Sequence, residues 1–334
     1  MRRSLHPSRP SQSHPTGFTL LELIIVMVIL GIVVGLSVAG IDRFDPGNLG
    51  LRVSVETFLE SSRDRARVSG HPVTVVQIPA SGEKEARLMR FVFQRALEAS
   101  FEKEFQQREG LELSGSAALD AVGRFGACGD LQNGGTIAVA GRGMPDLTRG
   151  FSLDVDLFNP LGEAGELLNW EGFLAIVVRR SGVVAATLRA GKGELQQDFL
   201  LESPADSSTI NKWQHLKLIA ADEMFLMVLD GREVARMEIA EVLGTPRSAP
   251  VFGDTEEGWR GFVDEFTVWA RIGELGPEIP GTVALEPLEL RLLFDRNGML
   301  DATFHPGPVP IVLSDLGDEI GSFVVGRFTQ EVSL

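Results

Sequence analysis

The longest apolar stretch of the chain runs from Leu23 to Ile41 and contains no charged residue. As a helix rising roughly 1.5 Å per residue, it would span about 28 Å, close to the thickness of a bilayer's hydrocarbon core. The pattern predicts one membrane crossing. Because arginines precede this stretch and an acidic chain follows it, the positive-inside rule places the N-terminus in the cytoplasm and the bulk of the protein outside.

Past the apolar run, small and apolar residues recur at helical spacing and predict an amphipathic helix. They are Leu51, Val55, Phe58, Leu59, Ser62 and Ala66. Pro46-Gly47 predicts a loosened or broken link between this helix and the apolar run. Gly70 ends the helix, and the β-branched run Val73–Ile78 predicts a strand. Arg87–Gln94 predicts a second strand, and Ala96–Gln107 a charged helical excursion.

From about Thr136 to Ile272 the pattern changes to short apolar runs separated by turn signals, which is typical of an all-β sandwich. Phe151–Leu157 alternates strictly between apolar and polar residues. Ser181-Gly182 and Asp230-Gly231 each separate two apolar runs and predict β-hairpins. Gly261–Trp269 predicts the last strand of this region.

The C-terminal part of the chain predicts three further strands, at Leu288–Phe294, Val309–Leu313 and Ser322–Thr329. This part comprises about 55 residues, which are too few to build a second independent core. We therefore expect these strands to complete a sheet that begins elsewhere in the chain.

Composition supports folded modules and excludes some partners. The chain has 334 residues, of which 44% are hydrophobic and 23% charged, with a formal net charge of −15. A chain this acidic argues against a nucleic-acid partner, which requires clustered Lys and Arg. Cys128 is the single cysteine, so no intramolecular disulfide can form. We expect it to be a small buried residue, and an intermolecular link is the alternative.

The stretch Thr16–Glu22 combines three features around the start of the apolar run. A basic leader ends at Gly17, Phe18 opens the apolar segment, and Glu22 places one carboxylate near its beginning. This pattern resembles the class III signal of type IV prepilins and pseudopilins. The resemblance implies that a prepilin peptidase cleaves after Gly17 and methylates the new amine of Phe18.

An ionised Glu22 at the edge of hydrocarbon costs a few kcal/mol unless it has a partner. By the same resemblance, Glu22 pairs with the Phe18 amine of a neighbouring subunit inside a helical bundle. The alternative is a plain signal anchor with an interfacial glutamate. Gly31 and Gly35 form a small-xxx-small pair that suits close helix packing, although ordinary glycine use in membrane helices explains it equally well.

Two other parts of the chain resemble the head of minor pseudopilins of type II secretion. Phe58–Val73 is similar to their passage from helix to first strand. Leu293–Gly298, Ile311–Leu313 and Val324–Phe328 are similar to their closing strands. Since the first part has too few strands to cover its helix, we hypothesise that the sandwich interrupts a pilin head whose sheet is built from both sides of it.

The middle region resembles concanavalin A-like, laminin-G-like sandwiches. The residues that carry this resemblance are Gly150–Leu153, Trp213–Leu216, Val228–Val234 and Gly261–Glu265. Some members of that class bind glycans, often through calcium, and others hydrolyse them with paired carboxylates.

Three observations bear on those functions. The acidic loop Asp254–Gly258 leaves a calcium site open, although an exposed turn explains it as well. The spacing Glu-x-Asp-x-x-Glu is absent, and the neighbours Asp264 and Glu265 should point to opposite faces of a strand, so we expect no enzyme activity. Exposed aromatic residues can bind sugars, but we expect the four tryptophans to pack in the core or at its rim. They are Trp170, Trp213, Trp259 and Trp269.

Together these patterns predict an α+β protein: a long N-terminal membrane-spanning helix on an antiparallel-sheet pilin head, plus an all-β jelly-roll-like sandwich. The predicted divisions are a leader (1–17), a membrane and assembly helix (18–45), the first half of the head (46–107), a connecting segment (108–135), the sandwich (136–272) and the closing strands (280–334).

The predicted function is that of a minor pseudopilin in a type II secretion or type IV pilus-like filament, located in the inner membrane. Its partners would be prepilin peptidase and other pilin subunits. The alternative is a membrane-tethered protein that binds a glycan or protein ligand through the sandwich.

Overall fold

The computed structural model describes residues 27, 46–82, 84–101, 110–120, 123–140, 144–240, 242–254 and 258–326. The chain divides into two compact units, Met1–Val53 and Ser54–Leu334. Among the described residues of the first unit, Met27 and 46–53 are helical. The predicted membrane segment Leu23–Ile41 otherwise lies outside the described residues.

Besides the helical residue Met27, the described residues form one α-helix, twenty strands and a short 3₁₀ turn at Gly193–Leu195. In chain order they are α1 (Pro46–Ser69), β1 (Val73–Ile78), β2 (Ala86–Ala99), β3 (Leu111–Ser114), β4 (Ala118–Asp120), β5 (Cys128–Asp130), β6 (Thr136–Val139), β7 (Phe151–Phe158), β8 (Gly165–Trp170), β9 (Leu174–Val178), β10 (Val184–Ala190), β11 (Gln197–Glu202), β12 (Trp213–Ala221), β13 (Met224–Leu229), β14 (Arg232–Glu238), β15 (Val251–Phe252), β16 (Phe262–Ile279), β17 (Val283–Glu286), β18 (Arg291–Phe294), β19 (Val309–Asp315) and β20 (Asp318–Val325).

These strands form three antiparallel sheets. The large sheet has ten strands and the order β14-β13-β12-β7-β16-β2-β1-β18, with β5 beside β16 and β4 beside β5. The second sheet has seven strands in the order β11-β10-β9-β8-β15-β6-β3, and the third has the order β17-β19-β20. The predicted hairpins at Ser181-Gly182 and Asp230-Gly231 are confirmed as β9-β10 and β13-β14.

A sandwich core lies between the large sheet and the seven-stranded sheet. In β7 the alternation predicted from the sequence turns Phe151, Leu153, Val155 and Leu157 into this core, where each is at most 1% exposed. Aromatic rings from both sheets meet there, since the ring centroids of Phe252 in β15 and Phe266 in β16 lie 5.0 Å apart. Burial of such rings removes a large apolar area from water and stabilises the sandwich.

Strand β16 is 18 residues long and joins two parts of the large sheet. Its N-terminal part pairs with β7 of the sandwich, and its C-terminal part continues beside β2. Beyond β2, strand β1 pairs with β18, and Val73 lies opposite Phe294. Strands β1 and β2 from before the sandwich and β18 from after it thus share one sheet with it. The expectation that all three C-terminal strands complete this sheet is wrong for the other two, because β19 and β20 pair with each other and with β17 in the separate third sheet.

The predicted division at Ile272 falls inside β16, and β3, which pairs with β6, lies in the predicted connecting segment 108–135. The predicted helical excursion at Ala96–Gln107 is not seen in its first part, because β2 continues as a strand to Ala99 and pairs there with Phe266. Residues 102–109 lie outside the described residues.

Helix α1 buries the face that its sequence predicts. Val55, Leu59 and Ala66 are at most 1% exposed. The side chain of Phe58 lies so close to Gly276 of β16 that a Cβ at that glycine would stand 2.5 Å from the ring. Gly70 ends the helix as predicted, with φ +66° and its N–H donating to the carbonyl of Ala66 at 2.9 Å. Glycine is favoured there because it adopts the left-handed conformation without strain.

The predicted sandwich is confirmed in coarse terms, since the described residues form a predominantly β protein with helix α1, whereas the α+β pilin head stays a prediction. Cys128 is buried, and burial raises the pKa of its thiol to about 12.

Candidate binding surface on the large sheet

The three residues predicted for processing and assembly, Gly17, Phe18 and Glu22, lie outside the described residues. Among the residues that the structure does describe, no helix is both long and apolar enough to cross a membrane. Of the acidic loop considered for calcium, Asp254 and Gly258 are described and 255–257 are not. No group of three or more His, Cys, Asp or Glu side chains in the described part of the chain is arranged to hold a metal ion.

The face of the large sheet opposite the sandwich core, called the outer face below, carries rows of polar and aromatic side chains. Because side chains alternate along a strand, Asp154, Asp156 and Phe158 of β7 all point to this face. Register places His215 of β12 and Asp264 of β16 on either side of Asp156. Three neighbouring strands therefore contribute one charged row.

His215 connects two of these carboxylates. Its Nδ1 lies 2.8 Å from Asp156 Oδ1 and its Nε2 lies 3.1 Å from Asp154 Oδ1. Hydrogen bonds to Asp154 and Asp156 raise the pKa of His215 to about 9 despite partial burial. The imidazole is therefore protonated at neutral pH and donates from both nitrogens.

Arg124 binds two carboxylates of the charged row. Its guanidinium donates to Asp156 Oδ1 at 2.6 Å, and its backbone N–H donates to Asp264 Oδ2 at 2.9 Å. Asp264 is 1% exposed, and burial raises the pKa of its carboxyl, although backbone N–H groups oppose the shift. Asp156 and Asp264 are thus buried and held by donors of the protein itself.

The middle of the outer face is covered by the turn after α1. His71 is 2% exposed, its ring centroid lies 4.8 Å from that of Trp269, and its Nε2 lies 3.9 Å from Asp154 Oδ2. Burial, together with the charge of Lys217, lowers the pKa of His71 to about 4. His71 is therefore neutral under conditions in which His215 is charged, although both lie beside Asp154.

An aromatic row lies next to the charged row, toward the C-terminal end of β7. Phe158 lies directly between Trp213 and Phe262, with ring centroids 5.4 Å and 6.0 Å away. All three rings are partly exposed. Phe125, which follows Arg124, is 70% exposed, as is Leu161, and Ile210 is 55% exposed.

Rings beside fixed charged groups suit ligands that have both apolar and hydrogen-bonding faces. The C–H face of a sugar ring can pack on an aromatic ring while its hydroxyl groups bond to carboxylates and guanidinium groups. The aromatic row supplies partly exposed rings, and in the charged row the partly exposed groups beside them are Arg124 and His215, because Asp156 and Asp264 are buried.

The expectation for the tryptophans is confirmed for two of them. Trp170 and Trp259 are 1% and 0% exposed, whereas Trp213 and Trp269 are partly exposed on the outer face. Sequence reasoning missed the grouping of Asp154, Asp156, His215 and Asp264. The alternation in β7 was the available signal for the first two, but the register with β12 and β16 had to be known to add the others.

Comparison with solved structures finds weak similarities to binding domains. The binding domain of botulinum neurotoxin DC, solved in complex with SialylT, is 11% identical with a TM-score of 0.40, and the match covers 52% of this chain and 47% of that one. The chain thus spans about half the length of that structure.

Domain 4 of an extracellular arabinanase from Geobacillus stearothermophilus, solved with arabinotriose, is 13% identical with a TM-score of 0.39, covering 56% of this chain and 95% of that one. Mouse laminin alpha1 domains LG4-5 are 12% identical with a TM-score of 0.33, covering 48% and 42%. Similarity at this level does not establish a ligand.

No curated protein matches the chain. A family model does match its N-terminal part: residues 13–38 correspond to the prokaryotic N-terminal methylation motif. The predicted signal is therefore confirmed, and the chain carries a prepilin-type N-terminal motif ahead of a predominantly β body.

Proposed function

We propose that the protein is a prepilin-like subunit, a minor pseudopilin of a type II secretion or type IV pilus-like filament. The observation that carries this proposal is the match of residues 13–38 to the N-terminal methylation motif. The segment contains Gly17, Phe18 and Glu22, followed by an uncharged run long enough for a bilayer.

In this proposal prepilin peptidase cleaves after Gly17 and methylates the Phe18 amine. The helix that begins at Phe18 anchors the subunit in the inner membrane, with the leader in the cytoplasm and the body outside. During assembly Glu22 pairs with the Phe18 amine of a neighbouring subunit. Two opposite charges that leave water together avoid the cost of burying either one alone.

The body fits the proposed role as a pilin head that carries an inserted sandwich. The pairing of β1 with β18 supports this arrangement, because it brings chain segments from before and after the sandwich into one sheet. Contact between Phe58 of α1 and Gly276 of β16 supports a helix-on-sheet head. The sandwich and the proposed head share β16, so the division between them runs through a strand.

Replacing Glu22 with alanine tests the assembly role. We expect Glu22→Ala to insert into the membrane as the wild type does, but to lose incorporation into filaments, because the neighbour's amine has no counter-charge. Glu56→Ala, which removes one carboxylate from the body, is the matched control and should assemble normally. Wild-type incorporation of Glu22→Ala would contradict the proposed role.

A second candidate function is favoured by the aromatic row, which gives the sandwich a surface suited to a glycan. In this case the N-terminal segment serves mainly to deliver a binding protein to the membrane. The test is a glycan array probed with full-length protein in detergent. We expect Trp213→Ala to reduce any binding about tenfold or more, whereas Leu195→Ala, at a residue 82% exposed elsewhere on the sandwich, should leave it unchanged. Absence of binding, or equal binding by both variants, would remove this candidate.

A further inference from the structure

A concave site lies at the opposite end of the outer face from the aromatic row. It is a cleft of about 400 Å³ whose walls include Phe91, Arg149, Asp222, Glu223, Arg271 and Arg291. Eight residues of β7 separate Phe158 from the level of Gly150, which corresponds to about 26 Å. His71 and Trp269 lie between the two ends, so the cleft is distinct from the candidate surface described above.

Arg271 forms a fixed cationic floor in this cleft. Its side chain is 9% exposed, and one guanidinium nitrogen donates to Asp222 Oδ1 at 2.6 Å and to Thr74 Oγ1 at 2.8 Å. The guanidinium also lies over the ring of Phe91, 4.5 Å from its centroid. These contacts hold the charge in one place without requiring an external ligand.

The other two arginines are more accessible. The side chain of Arg291 is 44% exposed. Its guanidinium nitrogens lie 3.2 Å from a carboxylate oxygen of Asp222 and 3.7 Å from one of Glu223. Arg149 is exposed and has no ion-pair partner among the described residues. Its charge reaches Asp146, whose pKa is lowered first by hydrogen bonds from Thr148 and to a smaller extent by Arg149. Arg149 therefore places an exposed guanidinium at the wall of the cleft.

The charge balance of the cleft favours an anion. Its walls carry three guanidinium groups and two carboxylates, within a chain of formal net charge −15. Burial lowers the pKa of Arg271, and the charge of Arg291 adds to that effect, while Asp222 opposes both. A further negative charge beside these arginines would therefore be stabilised.

Asp222 and Glu223 form the turn between β12 and β13, and both adopt left-handed backbone conformations, with φ of +53° and +63°. Glycine or asparagine is usually preferred at such positions. Two acidic residues are instead held there, with Asp222 fixed against two arginines. The Asp222 carboxylate lies 2.6 Å from a guanidinium nitrogen of Arg271 and 3.2 Å from one of Arg291.

We propose that the cleft binds a small organic carboxylate of about monosaccharide size, held by Arg149 and Arg291 above the fixed charge of Arg271. Guanidinium groups match a carboxylate through paired N–H donors. The volume lies within the range of roughly 300–1,000 Å³ found for small-ligand pockets. Val76, Phe91 and Val242 supply apolar wall for the carbon skeleton. This proposal does not depend on the role of the N-terminal segment.

Calorimetric titration of full-length protein in detergent tests the proposal. The probes are glucuronate, its uncharged counterpart glucose, sodium sulfate and sodium phosphate. We expect glucuronate to bind and glucose not to bind. Arg149→Gln and Arg291→Gln should each weaken glucuronate binding about tenfold, and the double variant should abolish it.

Arg180→Gln, which removes an exposed arginine from the sandwich, is the control for net charge and should bind as the wild type does. Unfolding curves for each variant verify that the fold is intact. The proposal is overturned if glucuronate does not bind, if glucose binds equally well, or if the double variant retains wild-type affinity. Tighter binding of sulfate or phosphate than of glucuronate would overturn the assignment to a carboxylate.

Discussion

The N-terminal segment and the β body encode function in different ways. In residues 13–38 the informative residues are adjacent in sequence, so a short match identifies the motif. In the body, the charged row of the outer face is assembled from β7, β12 and β16, whose residues are far apart in the chain. A local signal can therefore be read directly, whereas a surface built by sheet register becomes visible only once the strands are paired.

The largest difference in stability between variants of the two regions should come from a substitution in the sandwich core. Phe252 is 0% exposed and packs edge-on against Phe101 and Phe266. We expect Phe252→Ala to lower the free energy of unfolding by about 3–5 kcal/mol, measured by urea denaturation with tryptophan fluorescence. Glu22→Ala should leave that free energy unchanged. Equal destabilisation by both would show that the two regions are not separable.

The two histidines beside Asp154 should give opposite pH dependences. The pKa of His71 is lowered to about 4. Its contribution to the free energy of unfolding is therefore present above about pH 6.5 and is lost as the pH falls toward 4, by up to about 3 kcal/mol. The pKa of His215 is raised to about 9, so its contribution is present below about pH 6.5 and is lost as the pH rises through 9. Because His215 is partly exposed, we expect this loss in the free energy of unfolding to be about 1 kcal/mol.

Denaturation curves between pH 4 and pH 9 check both contributions. His71→Gln should flatten the acid side of the stability profile relative to the wild type, and His215→Gln the alkaline side. A variant that flattens the side assigned to the other histidine would contradict these pKa shifts.

A smaller loss of stability should follow from disturbing the contact between α1 and the large sheet. A Cβ at position 276 would lie 2.5 Å from the ring of Phe58, so we expect Gly276→Ala to destabilise the fold by about 1–3 kcal/mol. Gly281→Ala is the matched control, because a Cβ there meets no atom within 4 Å. Similar stability of the two variants would mean that α1 does not pack on β16 as described.

The smallest effect concerns the charged row. Asp156→Asn removes one of the two carboxylates that hold His215, and we expect the pKa of His215 to fall from about 9 toward its ordinary value. The accompanying loss of stability should be about 1 kcal/mol, because His215 and Arg124 are partly exposed. NMR titration of the histidine ring measures the shift, and an unchanged pKa would show that Asp154 alone sets it.

Sequence patterns predicted the elements whose causes are local. The stop at Gly70, the hairpin at Asp230-Gly231 and the alternation of β7 each depend on neighbouring residues. The course of β16 could not be predicted, because it contains Gly276 and Pro277, two residue types that usually interrupt a strand. In the sheet a register shift between Leu275 and Glu278 accommodates the proline, and the missing side chain of Gly276 makes room for Phe58.

The candidate surface could likewise be predicted only as far as its residues are close together in the sequence. The alternation of β7 places Asp154 and Asp156 on one face, but it does not reveal that His215 stands beside them. Likewise the arginine cleft joins Arg149, Arg271 and Arg291 from three separate segments, and none of them forms a motif in the sequence.

The most direct test of the central claim is mass spectrometry of the mature protein's N-terminus, isolated from membranes that contain prepilin peptidase. The proposal predicts a chain that begins at Phe18 and carries one additional methyl group on its amine. A mature chain that retains residues 1–17, or one that begins at an unmethylated residue other than Phe18, would contradict it.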